Sequence, residues 1–208
     1  MSGQPEQGFP LFPLNIVALP TETVPLHIFE ERYKRMIEDC LEQECELGIV
    51  WLAEEELKEV GCACEIDRVL SREEDGSMDI VVRGTRPFQL ISREHDLPYP
   101  AGVIEQLEDD AEEDDAEVAR EARELYRELV EQATERELSD EELAELDAYE
   151  MAGTVEFGTD AKQELLELRS ENARMRLLAL LFRAAIERLA LIDRAQARAL
   201  SNGKVRFG

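Results

Sequence analysis

The chain has 208 residues, room for one large domain or two small ones, and 44% of them are hydrophobic, so a core burying roughly 70% of the unfolded surface is within reach. Its 49 acidic and 23 basic side chains leave a net charge of −26, which opposes binding to nucleic-acid phosphates because that needs clustered Lys and Arg. No run of about 18 apolar residues exists, so no membrane span is expected.

Phe9-Pro10-Leu11-Phe12-Pro13-Leu14 and Ile16-Val17-Ala18-Leu19 read as two short apolar strands cut by prolines, since Pro inside such a run marks a strand end, edge or bulge. A first helix is predicted from about His27 to Gln43. Ile28 or Phe29, Tyr33, Met36 or Ile37, and Cys40 or Leu41 recur at helical spacing, and Glu30, Glu31, Arg32, Lys34, Arg35 and Glu38 fill the other face. Leu47–Leu52 is a continuous apolar run too short for a helix and suited to a buried strand. Val60–Leu70 and Met78–Gly84 flank Asp75-Gly76. That pair predicts a hairpin, because Gly tolerates the positive φ of a tight turn. Phe88–Ser92 is expected as a further strand after Pro87, and Tyr99–Leu107 as another. Short strands at this spacing predict an antiparallel sheet that curls toward a barrel.

Composition changes near Glu108. Residues 108–150 carry 20 acidic and 4 basic side chains. The acid run Asp109–Asp115 reads as a solvated linker leading into a helix N-terminus, where negative charge meets the positive end of the helix dipole; a site for a basic partner is the alternative. Val118, Ala122, Leu125, Leu129 and Ala133 trace one helix face. Ser139 with Glu142 matches a capping box. Gly153 and Gly158 bracket a break, after which Asp160 and Gln163 are placed to cap another helix. A long helix follows from about Glu171, striped by Met175, Leu178, Leu181 or Phe182, Ala185, Leu189 and Ile192. Its arginines are expected to face the acidic helices. The stripe reads as core packing in a helical bundle, with a dimer seam as the alternative.

Catalytic patterns are weak. Gly203-Lys204 lacks the upstream glycine and following hydroxyl of a phosphate-binding loop. His27 and His95 are the two imidazoles, one at the expected helix start and one in a polar loop, and no serine sits in a Gly-x-Ser-x-Gly elbow. Cys62 and Cys64 fall on one strand face, but a structural zinc needs a second pair, which Cys40 and Cys45 would supply only by tertiary coincidence. Neither metal nor cofactor is expected. With no basic segment ahead of the uncharged stretch Gln7–Thr21, the export signal is poor. The expected compartment is therefore the cytoplasm, and the four cysteines are expected as reduced, mostly buried thiols.

Four segments, in order, resemble the substrate-recognition domain found at the N-terminus of Lon proteases. They are Phe9–Leu14, Pro25-Leu26-His27-Ile28-Phe29-Glu30-Glu31-Arg32-Tyr33, Val60-Gly61-Cys62-Ala63-Cys64-Glu65-Ile66, and Asp75–Phe88 with its strand ending in Gly84 and Arg86 two positions later. The motif framework comprises Pro25, Phe29, Glu30, Arg32, Tyr33, Gly61, Asp75, Gly76, Gly84 and Arg86. The resemblance implies an α+β fold, with a curled β-rich domain over residues 1–107 and a helical bundle over 108–208. It also implies a non-catalytic, stand-alone module, without motor or protease parts, that binds unfolded or flexible protein segments. Leu26, Phe29, Trp51 and Phe88 are the candidate contacts. Two alternatives stay open: a small-ligand binder or enzyme using His27, Arg83 and Arg86, and an acidic adaptor for a basic protein.

Overall fold

The computed structural model describes residues 4–202 apart from 55 and 135, and the side chains of 193 and 196–202 are left aside. Contacts divide the chain into two compact units: the chain up to Ala111 together with Tyr149–Ser170, and Glu112–Ala148 together with the chain from Glu171.

The first unit is a seven-stranded sheet, ring-like without being a regular barrel. Its strands are β1 (Glu6–Leu14), β2 (Thr23–Ile28), β3 (Leu47–Ala53), β4 (Glu56–Leu57), β5 (Val60–Arg72), β6 (Met78–Glu94) and β7 (Ala101–Gln106). The order β1-β7-β6-β5-β3 is antiparallel, and β1 returns to pair parallel with β3, Leu11 beside Gly48 through Leu14 beside Trp51. Two strands hang outside this ring, β4 on β3 and β2 on β6. Helix α1 (Glu31–Gln43) buries Tyr33, Lys34, Met36, Ile37 and Cys40.

Three expectations are corrected here. The helix begins at Glu31, not His27, because Thr23–Ile28 is a strand paired with β6 from Thr23–Arg83 to Ile28–Met78. Val24, Leu26 and Ile28 turn inward and Thr23, Pro25 and His27 outward, a period of two; Pro25 is tolerated because β2 is an edge strand. Ile16–Leu19 is not a strand. Val17, Ala18 and Leu19 are buried without a ladder, held where Thr21 N–H donates to Gly84 O (2.8 Å) and Leu19 N–H to Glu22 Oε2 (3.0 Å). The strand expected at Phe88–Ser92 is the second half of one 17-residue strand. Pro87 falls in the interval where β6 has left β2 and not yet met β7, so its missing N–H breaks no ladder there.

The core explains the framework glycines. Phe88 is fully buried in a cluster with Phe9, Leu11, Val50, Ala63 and Ile104. A Cβ at Gly48 or at Gly61 would each lie 2.6 Å from its Cζ, so the two glycines leave the slot that the ring fills. At Gly84 a Cβ would lie 2.1 Å from Leu19 O, which is backbone and cannot swing away. The β5–β6 turn has Gly76 at φ 81, as its Asp-Gly pair predicts. Asp75 Oδ1 accepts from Ser77 N–H (2.9 Å) and Oγ–H (2.7 Å). Lys34, expected on the polar face of α1, is instead buried and donates to Asp75 O (2.7 Å), tying helix to turn.

Within the same unit, α5 (Thr159–Glu167) packs on β5. Gln163 Nε2 donates to Val60 O at 3.1 Å, and Lys162 pairs with Glu22. Neither Asp160 nor Gln163 caps this helix: the N-cap is Gly158, with no side-chain bond. Gln163 is needed by the strand instead.

The second unit holds α2 (Ala116–Thr134), α3 (Asp140–Glu145) and α6 (Glu171–Asn202); the short α4 (Ala148–Ala152) completes six helices among the described residues. Arg176 pairs with Asp115 (3.4 Å) and Arg183 with Glu121 (2.7 Å), so α2 and α6 run side by side in the same direction and basic α6 does face acidic α2. Tyr126, rather than the predicted Leu125, is buried at this turn of α2, its ring 5.4 Å from Phe182. Ser139 and Glu142 form the expected capping box on α3.

Candidate functional site

Two adjoining grooves, of about 420 and 380 Å³, open on the first unit and share Pro13, Arg32, Leu57, Arg93 and Pro100 in their linings. Joined along these five residues, the two grooves are here called the channel. Its walls follow from the register. Parallel pairing carries Pro13 and Leu14 beside Val50 and Trp51. The β3–β4 hairpin sets Leu52 opposite Leu57. Leu11 N–H donates to Pro100 O at 2.8 Å, which brings the Leu97–Pro100 segment against β1. The β2–α1 junction contributes Ile28, Phe29, Glu30, Arg32 and Tyr33.

Phe29 is the most exposed large apolar side chain of the whole described chain, at 63%, with Leu52 and Leu97 also exposed. Single exposed apolar residues are ordinary, but several around one concavity mark a binding surface. The Phe29 ring stacks on His27 at 5.9 Å, whose Nδ1 lies 2.8 Å from Asp79 Oδ1. That contact and the hydroxyl of Ser71 hold the Asp79 carboxyl below its ordinary range. Tyr33 packs on Phe12 (4.3 Å) beneath the Arg32 guanidinium (4.5 Å), and burial raises its phenol. In the second half, Tyr99 donates to Asp39 Oδ2 (3.1 Å), and burial together with that carboxylate pushes it up to about 12.

The carboxylates on the lining are engaged. Glu30 holds Arg32 at 2.8 Å, and Glu94 accepts from Gly8 N–H at 2.7 Å. The channel lining therefore combines apolar walls with the guanidinium groups of Arg32 and Arg93. His27 faces a carboxylate across strands, and the channel lining holds no serine, threonine or cysteine.

Of the four candidate contacts, Phe29 alone lines this channel. Leu26 is half-buried opposite Ile80 in the β2–β6 ladder. Trp51 is half-buried, donates from Nε1 to Asn15 Oδ1 at 3.3 Å and has Lys58 over its ring at 5.7 Å. Phe88 is core and touches no solvent, which corrects its place among the contacts. Leu52, Leu57, Arg93 and Leu97 were not singled out from the sequence; each sits in a different short segment, and only the Pro98-x-Pro100 punctuation hints at the shape there. Glu30 pairs with Arg32 and stands at the N-cap of α1 without a side-chain cap.

His27, Arg83 and Arg86 do not converge. Arg83 is held by Asp67 (3.5 Å) and Glu65 (3.9 Å), while Arg86 Nη2 reaches Glu46 (2.8 Å) and Glu6 (3.1 Å). The acid run is partly matched by this chain's own arginines, Asp110 with Arg169 and Asp115 with Arg176. All four cysteines are free thiols, and burial pushes those of Cys40 and Cys62 up. Among the described residues no group of three or more His, Cys, Asp or Glu is placed to hold a metal ion, and no helix is long and apolar enough to cross a membrane.

The family model of the ATP-dependent protease La (LON) substrate-binding domain matches residues 8–183. Among solved structures, the chain is similar to a Lon N-terminal domain protein from Xanthomonas campestris. That match has a TM-score of 0.65 and 23% identity and covers 83% of this chain and 97% of that one. It is also similar to the N-terminal domain of the Mycobacterium avium complex Lon protease, with a TM-score of 0.64, 22% identity and 83% and 96% coverage.

Proposed function

Because the chain belongs to the Lon substrate-binding domain family, we propose that it is a non-catalytic module that binds unfolded or flexible protein segments in the channel beside Phe29. The observation that carries this reading is the exposed Phe29, held by a strand on one side and a helix start on the other, at the mouth of an apolar groove. A rigid aromatic at the rim of a preformed concavity is how peptide-binding surfaces gain affinity with little ordering cost. An extended segment would cover Phe29, Leu52 and Leu97 together. The net charge of −26 favours protein over nucleic acid as the partner, and four free thiols suit a reducing compartment such as the cytoplasm.

The test is a titration of a permanently unfolded, carboxymethylated polypeptide, followed by anisotropy. Saturable binding that Phe29→Asp abolishes supports the reading. With the fold intact by circular dichroism, an absence of binding at high micromolar concentration removes it.

A further inference from the structure

We propose that the channel selects segments in which a carboxylate side chain is flanked on both sides by apolar residues, with Arg93 as the specificity-determining contact. The inference rests on the channel being the peptide site.

Arg93 stands at the waist. It lines both halves of the channel, and its backbone is fixed near the end of β6 by pairing with Gly102 of β7. Its neighbours on the lining are already committed. Arg32 is held by Glu30 and lies over Tyr33. Glu94 is held by the Gly8 amide, and His27 by Asp79. The Arg93 side chain is exposed and makes no hydrogen bond or ion pair among the described residues; His95, exposed in the second half, is the other imidazole there. Of the two arginines on the lining, Arg93 is the one with no carboxylate partner among the described residues.

A guanidinium takes a carboxylate through two parallel N–H donors, which fixes position as well as charge. On one side of the waist lie Phe29 and Leu52, and on the other Leu97 and Pro98. A chain crossing both halves therefore meets apolar wall, cation, apolar wall. The acidic surface elsewhere would favour basic segments at long range, but that field is screened beyond about 8 Å at physiological salt, whereas a direct contact survives.

The experiment uses the full chain at about 0.15 M salt and labelled peptides of one apolar sequence with Glu, Gln or Lys at the centre. The Glu peptide should bind about fivefold more tightly than the Gln peptide, the size of a good exposed ion pair. Arg93→Gln should erase that difference, and Arg93→Glu should turn the preference toward Lys. Equal binding of the Glu and Gln peptides, or a preference that persists in Arg93→Gln, overturns the selectivity. A Phe29→Ala arm separates the two levels. If it weakens all three equally bound peptides, the groove stands and only the acidic selectivity falls. If no peptide binds, or Phe29→Ala changes nothing, the groove falls and the selectivity with it.

Discussion

Gly48→Ala should destabilise the sheet, and Phe88→Leu should rescue it. An added Cβ at position 48 would sit 2.6 and 2.7 Å from Phe88 Cζ and Cε1 and 3.0 Å from Phe9 Cε1. Comfortable carbon contacts are about 3.5–4.0 Å, so the Phe88 ring would have to retreat by about 1 Å. It has nowhere to go, because it is fully buried and Gly61 closes on the same ring tip. Overpacking of this kind costs about 1–3 kcal/mol. Phe88→Leu alone should cost about 1–2 kcal/mol, less than the 3–5 typical of Phe→Ala. In the double variant the new methyl enters space that the ring has vacated, so the two costs should fall short of their sum by at least about 1 kcal/mol. Gly61→Ala is the control. Its Cβ would also lie 2.7 Å from the backbone oxygen of Ile49, which no side-chain change relieves. Urea unfolding followed by Trp51, the one tryptophan and a residue of β3, reads this unit directly. Strict additivity within about 0.5 kcal/mol, or a neutral Gly48→Ala, would refute the slot.

Phe29→Ala should leave unfolding stability within about 0.5 kcal/mol, as for other exposed positions, while lowering affinity for an unfolded polypeptide about tenfold; parallel urea and anisotropy titrations check both halves. The Asp75 carboxyl is held below its ordinary value by Ser77, first through the hydroxyl and then the amide. Its contribution is therefore present above the unfolded pKa near about 3.9 and lost as pH falls through the lower folded value. The stability gap between wild type and Ser77→Ala should accordingly be constant from neutral pH to about 5 and shrink below about 3; a gap that widens in acid would contradict the assignment. Ser139→Ala removes the hydroxyl that accepts from Glu142 N–H. It should cost about 1 kcal/mol, seen as faster hydrogen exchange in Asp140–Glu145, and unchanged exchange there would count against the capping box.

The hairpin around Asp75-Gly76, strand β3 and the box at Ser139 were readable because each is a local signal: a turn dipeptide, a short apolar run, a three-residue spacing. Strand β2 was not. Its alternation is there in Val24, Leu26 and Ile28, but Ile28 also fits the helical spacing that starts the helix at His27, and only the long-range pairing with β6 makes it an edge strand. Phe88 reads as a contact because apolarity is visible in a sequence and burial is not; the slot that receives it is made by glycines at 48 and 61, on two other strands. The channel was least readable of all. Phe29 was within reach, as part of a distinctive junction. Leu57, Arg93 and Leu97 are unremarkable where they stand and acquire meaning only when the β3–β4 hairpin and the β6–β7 connection are folded against β1.

The chain crosses between its two compact units more than once: residues 112–148 depart from the first, Tyr149–Ser170 return to it, and Glu171 leaves again. On a ribosome adding about 5–20 residues per second, β1 would meet β3 within seconds, yet α5, with Gln163 bonded to Val60, is made only some hundred residues after β5. The sheet must wait with that face uncovered while another folding unit is being synthesised. Vectorial synthesis thus leaves a window in which nascent chain is exposed to proteases and to chaperones. By the same token, no single cut of the polypeptide liberates either unit whole, and any fragment ending near residue 111 lacks the helix that covers β5.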